Sequence, residues 1–179
     1  MRKLVCAVFL PLLTFGLTVA FSSEPGSVQI DFVQPEKFSD FRIEGRQGNE
    51  SARIFRDQVS TYLSPILAKR FPGDSLTLTF TDIDLAGRLD PSRTRRLSNA
   101  RIDRNMASPL RMYFDFSLAD PQGKIVAKGS TSVVDQDYLY RYTYYSGPDK
   151  NSTLFYEKAA LNRWISTLRP SGPKVTTAQ

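Results

Sequence analysis

The chain has no histidine and a single cysteine, Cys6, among its 179 residues. Without histidine there is no Ser-His-Asp triad and no imidazole ligand for haem or zinc. Cys6 lies inside an apolar N-terminal run, where it has no second thiol with which to form an intrachain disulfide. Zinc sites of the Cys/His type and cysteine nucleophiles are excluded from the rest of the chain. Also lacking are a Gly-rich phosphate loop, a dinucleotide-binding fingerprint, an Asp-x-Asp-x-Asp-Gly calcium loop and any internal repeat. The fold must rest on its apolar core alone. Acid–base chemistry, if there is any, must come from carboxylates, amines or hydroxyls.

The N-terminus has three parts. Arg2 and Lys3 supply positive charge, Leu4 to Phe21 is uncharged and mostly apolar, and Thr18, Ala20 and Ser22 offer small residues around a cleavage point. This is the pattern of a secretory signal, assigned to residues 1–20. The run is also just long enough for a membrane anchor, but Pro11 and Gly16 inside it favour cleavage. A lipoprotein signal would place a cysteine at the cut, and Cys6 is not there. Cleavage leaves about 160 residues, the size of one domain, expected over 21–170 with a frayed tail at 171–179. Removing Arg2 and Lys3 leaves 22 basic against 18 acidic residues, a net of +4, which suits contact with an anionic surface without demanding it.

Along this domain, Val28, Ile30 and Phe32 alternate with polar residues as a half-buried strand does, and Pro35 closes the run. Residues 35–50 are polar and read as a loop. From Ser51 to Phe71, Phe55, Val59, Tyr62, Leu63, Ile66 and Leu67 form a helical stripe in which Pro65 predicts a kink or restart. Leu76, Leu78 and Phe80 alternate with threonines, and the apolar phase then slips to Ile83 and Leu85, predicting a bulge near Thr81-Asp82. After a long Arg-rich connection, Leu110 to Leu118 and Lys124 to Val134 read as a hairpin around Asp120-Pro121-Gln122-Gly123. Tyr138 to Tyr145 predicts a further strand, and Ser152 to Leu168 a helix with Trp164 on its apolar face. The order β-α-β-β-β-(β)-α gives an α+β fold, a mainly antiparallel sheet of four or five strands with two helices packed on one face.

Three segments, Val33–Asp40, Thr81–Arg88 and Leu118–Lys124, together with the Tyr156-Glu157-Lys158 … Trp164 helix, resemble the bacterial family known as domain of unknown function 3016. The resemblance covers most of the domain. It implies an exported protein of a Gram-negative bacterium and brings no activity, cofactor or catalytic residue with it. The connection after Arg88 is longer and richer in arginine than the resemblance implies.

Three constellations are candidates for function. Asp82 and Asp84, two apart on a strand, could bind a cation or divide acid and base roles; the opposing reading is ordinary strand-end aspartates. Arg88, Arg93, Arg95, Arg96, Arg101 and Arg104 form a basic cluster fitted to phosphate or carboxylate, against the plain reading of a solvated loop paired with Asp90 and Asp103. Tyr138, Tyr140, Tyr142 and Tyr144 would share one face of the expected strand, with Arg141 on the other, as a platform for a partner or as plain sheet packing. The resulting expectation is a non-catalytic periplasmic or cell-envelope protein that binds another envelope protein or polymer through the tyrosines. The alternatives are a binder of polyanions or anionic lipid through residues 88–104, and a carboxylate-based hydrolase. No cofactor or metal is expected, and export argues against nucleic acid.

Overall fold

The alternating runs assemble as their periods require. In a computed structural model that describes residues 26–89, 101–102, 108–141 and 152–169, four strands form the main sheet: β1 (Val28–Phe32), β4 (Ser75–Asp84), β7 (Leu110–Ala119) and β8 (Ile125–Asp135), in the order β1-β4-β7-β8. β1 runs parallel to β4, while β4–β7 and β7–β8 are antiparallel. The parallel pair needs a crossover, and α1 (Asn49–Arg70) provides it. A second long helix, α3 (Phe155–Thr167), packs beside α1 and against β8. The α+β expectation drawn from the order of elements therefore holds.

Register determines which side chains meet the helices. Leu76 lies opposite Leu118, Leu78 opposite Phe116, and Phe80 opposite Phe114; all but the half-buried Phe116 are buried. The expected bulge sits between Phe80 and Asp82, and beyond it Ile83 faces Met112 on the same buried side. Here β1 also leaves the sheet. Val33 donates its N–H to the Phe80 carbonyl, the chain makes a short 3-10 turn over Pro35–Lys37, and it returns to form a parallel bridge between Asp40 and Asp84. One extra residue in β4 thus marks the break in its neighbour.

The core is organised around rings. Phe41, Phe55, Phe80, Phe114 and Trp164 follow one another at centroid separations of 5.7, 5.2, 5.1 and 4.8 Å, and Phe116 closes on Trp164 at 5.2 Å. Most of these contacts are tilted or edge-on, as the ring quadrupole prefers. The chain of contacts crosses from the 33–41 segment through α1, β4 and β7 to α3. The sheet's other face carries Thr77, Thr79, Tyr113, Asp115, Ser130 and Ser132, all half-buried or exposed.

Three local expectations need correction. Residues 35–50 are more than a loop, since β2 (Arg42–Ile43) and β3 (Arg46–Gln47) form a small hairpin, with Glu44 and Gly45 both at positive φ in its turn. α1 neither restarts nor ends at Pro65. The proline is on the exposed side, so the Thr61 carbonyl that loses its N–H partner faces water. The chain also does not continue as a strand after β8: Tyr138–Arg141 is a helical turn, α2. The Arg-rich connection begins and ends with a two-residue pair, β5 (Arg88–Leu89) and β6 (Arg101–Ile102).

The turn from α1 into β4 leaves no space for a side chain. Gly73 has φ +84°, and a Cβ there would lie 2.9 Å from Pro121 Cγ in the β7–β8 turn. Gly73→Ala is therefore expected to lower unfolding free energy by more than about 1 kcal/mol, measured by chemical denaturation. Gly123→Ala, with similar φ but open space around it, should cost less.

Candidate functional site

The paired carboxylates can be assigned first. Asp82 and Asp84 do share the sheet's open face, but each already has a partner. The Asp82 carboxylate accepts the Ser39 N–H and the Ser39 hydroxyl, both at 2.8 Å, which fastens the returning 38–41 segment to β4. Asp84 pairs with Arg111 on β7 at 3.2 Å. Among the described residues no group of three or more His, Cys, Asp or Glu side chains converges as metal ligands. The two aspartates act as sheet fasteners.

The arginine cluster is only partly described. Arg88 lies opposite Ile102 and Arg101 opposite Leu89 in the β5–β6 pair, so the backbones of two of its members meet at the base of the connection. Arg93, Arg95, Arg96 and Arg104 lie outside the described residues, as do Tyr142, Tyr144, the signal at 1–20 and the tail at 171–179.

The two described members of the tyrosine row, Tyr138 and Tyr140, do not share a face. A strand would put Tyr138 and Tyr140 side by side, but the helical turn separates them. Tyr138 is buried, its ring 4.7 Å from that of Tyr156 on α3, whereas Tyr140 is 70% exposed. The cause lies just upstream. β8 places Ala127, Gly129, Thr131, Val133 and Asp135 on the core side, so its last residue carries a carboxylate into the interior, where Asp135 is only 3% exposed. Burying a carboxylate costs free energy unless cations or hydrogen-bond donors meet it. Arg163 from α3 donates to Asp135 Oδ2, and Arg141 reaches back with its guanidinium 3.6 Å from Oδ1. For Arg141 to return, the chain must coil, and Arg141 N–H closes the turn on the Asp137 carbonyl.

The outcome is a small helical projection at the end of β8. Tyr138 anchors it below, Asp135 and Arg163 hold it from the side, and Tyr140 points outward next to an Arg141 that is about half exposed. Asp135 Oδ1 is buried without a hydrogen bond, since 3.6 Å is beyond bonding distance. Arg141 is thus attracted by charge but not locked. Sequence reasoning found Tyr140 and Arg141 but missed Asp135 and Arg163. The signal was present, because Asp135 continues the core-side parity of β8 one step beyond Val133.

A second buried carboxylate went unread. Glu157, in the first turn of α3, accepts the Ala86 N–H at 2.9 Å. It thereby holds the stretch Leu85–Gly87, from which the Arg-rich connection departs. Burial, and after it the Glu157 charge, push the neighbouring Tyr156 hydroxyl above its usual range.

With the geometry in place, comparison with known proteins adds one result. The family model described as protein of unknown function (DUF3016) matches residues 26–167. The chain belongs to this family. No curated protein and no solved structure matches it. The DUF3016 match spans every element of the main sheet and both long helices, so Asp82, Asp135, Glu157 and Arg163 all belong to the family domain, not to an appendage. Among the described residues no helix is long and apolar enough to cross a membrane.

Two measurements test this site. Replacing Arg163 by Met should destabilise the fold by about 2 kcal/mol, less than the loss for a fully buried pair because Arg163 is partly exposed, while Arg141→Met should cost under about 1 kcal/mol; denaturation of both variants ranks them. Because the Tyr156 hydroxyl titrates higher in the folded chain than in the unfolded one, its contribution is fully present below pH ~10 and is lost as pH rises above that. Stability should therefore fall above pH ~10, and less steeply in Tyr156→Phe.

Proposed function

We propose that this chain is an exported, non-catalytic binding module of the cell envelope that holds its partner through the Tyr140–Arg141 turn. The observation that carries the proposal is the exposure of Tyr140, 70%, on a helical turn whose first residue, Tyr138, is buried. An aromatic ring in water is normally free to move away or to pack down. Here Tyr138 is packed below and Arg141 is drawn to Asp135, so the backbone that carries Tyr140 is restrained on both sides. Rigid tyrosines and arginines are what interface centres are built from.

Export is supported by the Arg2-Lys3 charge and the apolar run that follows. The non-catalytic reading is supported by the lack of histidine, and by Asp82 and Asp84 being occupied with Ser39 and Arg111. The partner is an envelope protein; the anionic-lipid reading through residues 88–104 is an outcome of the same experiment.

That experiment is photo-crosslinking in intact cells from a photoreactive residue at position 140, with fractionation of the products. One discrete protein adduct is expected in the exported fraction, weakened several-fold by Arg141→Ala. A lipid adduct in place of protein would transfer the function to the basic connection. The absence of any adduct from a folded, exported chain would overturn the proposal.

A further inference from the structure

The two edges of the main sheet are treated differently. An edge strand presents unpaired backbone groups, and proteins normally blunt it. β1 is blunted: it is five residues long, and its Ile30 carbonyl accepts a hydrogen bond from Arg56 Nε of α1 at 2.8 Å. The Arg56 guanidinium also lies 5.5 Å from the Phe32 ring centre, which fixes it over that edge.

β8 has eleven residues, and among the described residues no strand pairs with its outer edge. Its irregularity is at the start, where the register shifts opposite Leu118 and Ala119. Beyond that, Gly129-Ser130-Thr131-Ser132-Val133-Val134 carries no charge and no proline, and Val134 is 49% exposed. Lys128 is the one exposed charge on the strand, because Asp135 is buried between its arginines.

We infer that the outer edge of β8 is a strand-addition site for an extended segment of another protein, uncharged and β-branched along Gly129–Val134, with an acidic residue across from Lys128. Backbone hydrogen bonding to an open edge supplies affinity, and cross-strand side chains supply selectivity. Charge selects the occupant. A second copy would bring another chain of net positive charge against Lys128, +4 once Arg2 and Lys3 are removed with residues 1–20, whereas an acidic residue at that position forms an opposite-charge cross-strand pair. This edge is separate from the Tyr140 turn, so the two proposals fail independently.

The probe is a blocked seven-residue peptide of alternating Thr and Val with one Glu on the Thr face, and its counterpart with Lys in place of Glu. Amide hydrogen exchange is read by NMR on the full exported chain. At millimolar Glu peptide, the outward amides of residues 129–134 should exchange at least tenfold more slowly, and the Lys peptide should protect several-fold less. Lys128→Glu should reverse the preference, and Tyr140→Ala should leave it unchanged. No slowing with either peptide overturns the site. Equal slowing with both peptides, with no reversal in Lys128→Glu, overturns the acidic partner. Amides already protected in a peptide-free dimer would assign the edge to a second copy and overturn the inference.

Discussion

The ring-to-ring contact chain from Phe41 to Trp164 is the interaction on which the other elements depend. With one cysteine and no histidine, no disulfide or imidazole–metal staple reinforces the core. Aromatic side chains bury the most area per residue, and their edge-to-face contacts add directional preference. Each ring comes from a different element, so the series fixes their relative positions as well as excluding water. Phe55 locates α1 on β4, Phe114 carries the contact across to β7, and Trp164 locates α3 over Phe114 and Phe116. Gly129 belongs to the same arrangement: a Cβ there would come 3.3 Å from the Phe116 ring, so the edge strand stays bare where the ring leans over it.

Once α3 is located, its polar residues have fixed targets. Glu157 meets the Ala86 N–H, and Arg163 meets Asp135. These two buried acids lie at the points where the chain leaves the sheet. One is at the departure of the Arg-rich connection, the other at the end of β8. In both places a buried carboxylate settles a change of chain direction that apolar packing alone leaves open. The exposure of Tyr140 follows from the second of these, and so depends indirectly on where Trp164 sits.

Much of this was legible because the strands alternate cleanly. Leu76, Leu78 and Phe80, the phase slip at Thr81-Asp82, and Leu110 to Leu118 gave the sheet and even its bulge. Tyr138 to Arg141 was misread because tyrosines at every second position mimic a strand. The deciding force was the Asp135 carboxylate, whose burial is a tertiary fact that periodicity does not encode. The β2–β3 hairpin was missed because two-residue strands are too short to have a period, although Gly45 marked its turn. Pro65 does not restart α1, one of the two expected outcomes, since its cost depends on whether the orphaned carbonyl faces water. The candidate site was half visible: its exposed members were named, and the buried pair that positions them was not.

The parallel pairing of β1 with β4 has a consequence for the order of assembly. The β7–β8 hairpin closes over residues 120–124, whereas β1 reaches β4 only after residues 33–74 have been looped out. Loop-closure entropy makes the second step costlier by about 2 kcal/mol, before α1 has repaid any of it. The hairpin is therefore the inexpensive nucleus and β1 a late arrival. Until it docks, the edge of β4 bearing Leu76, Leu78 and Phe80 stands open. A chain emerging unfolded would pass through a stage when a strand of the buried core lies unprotected along one edge.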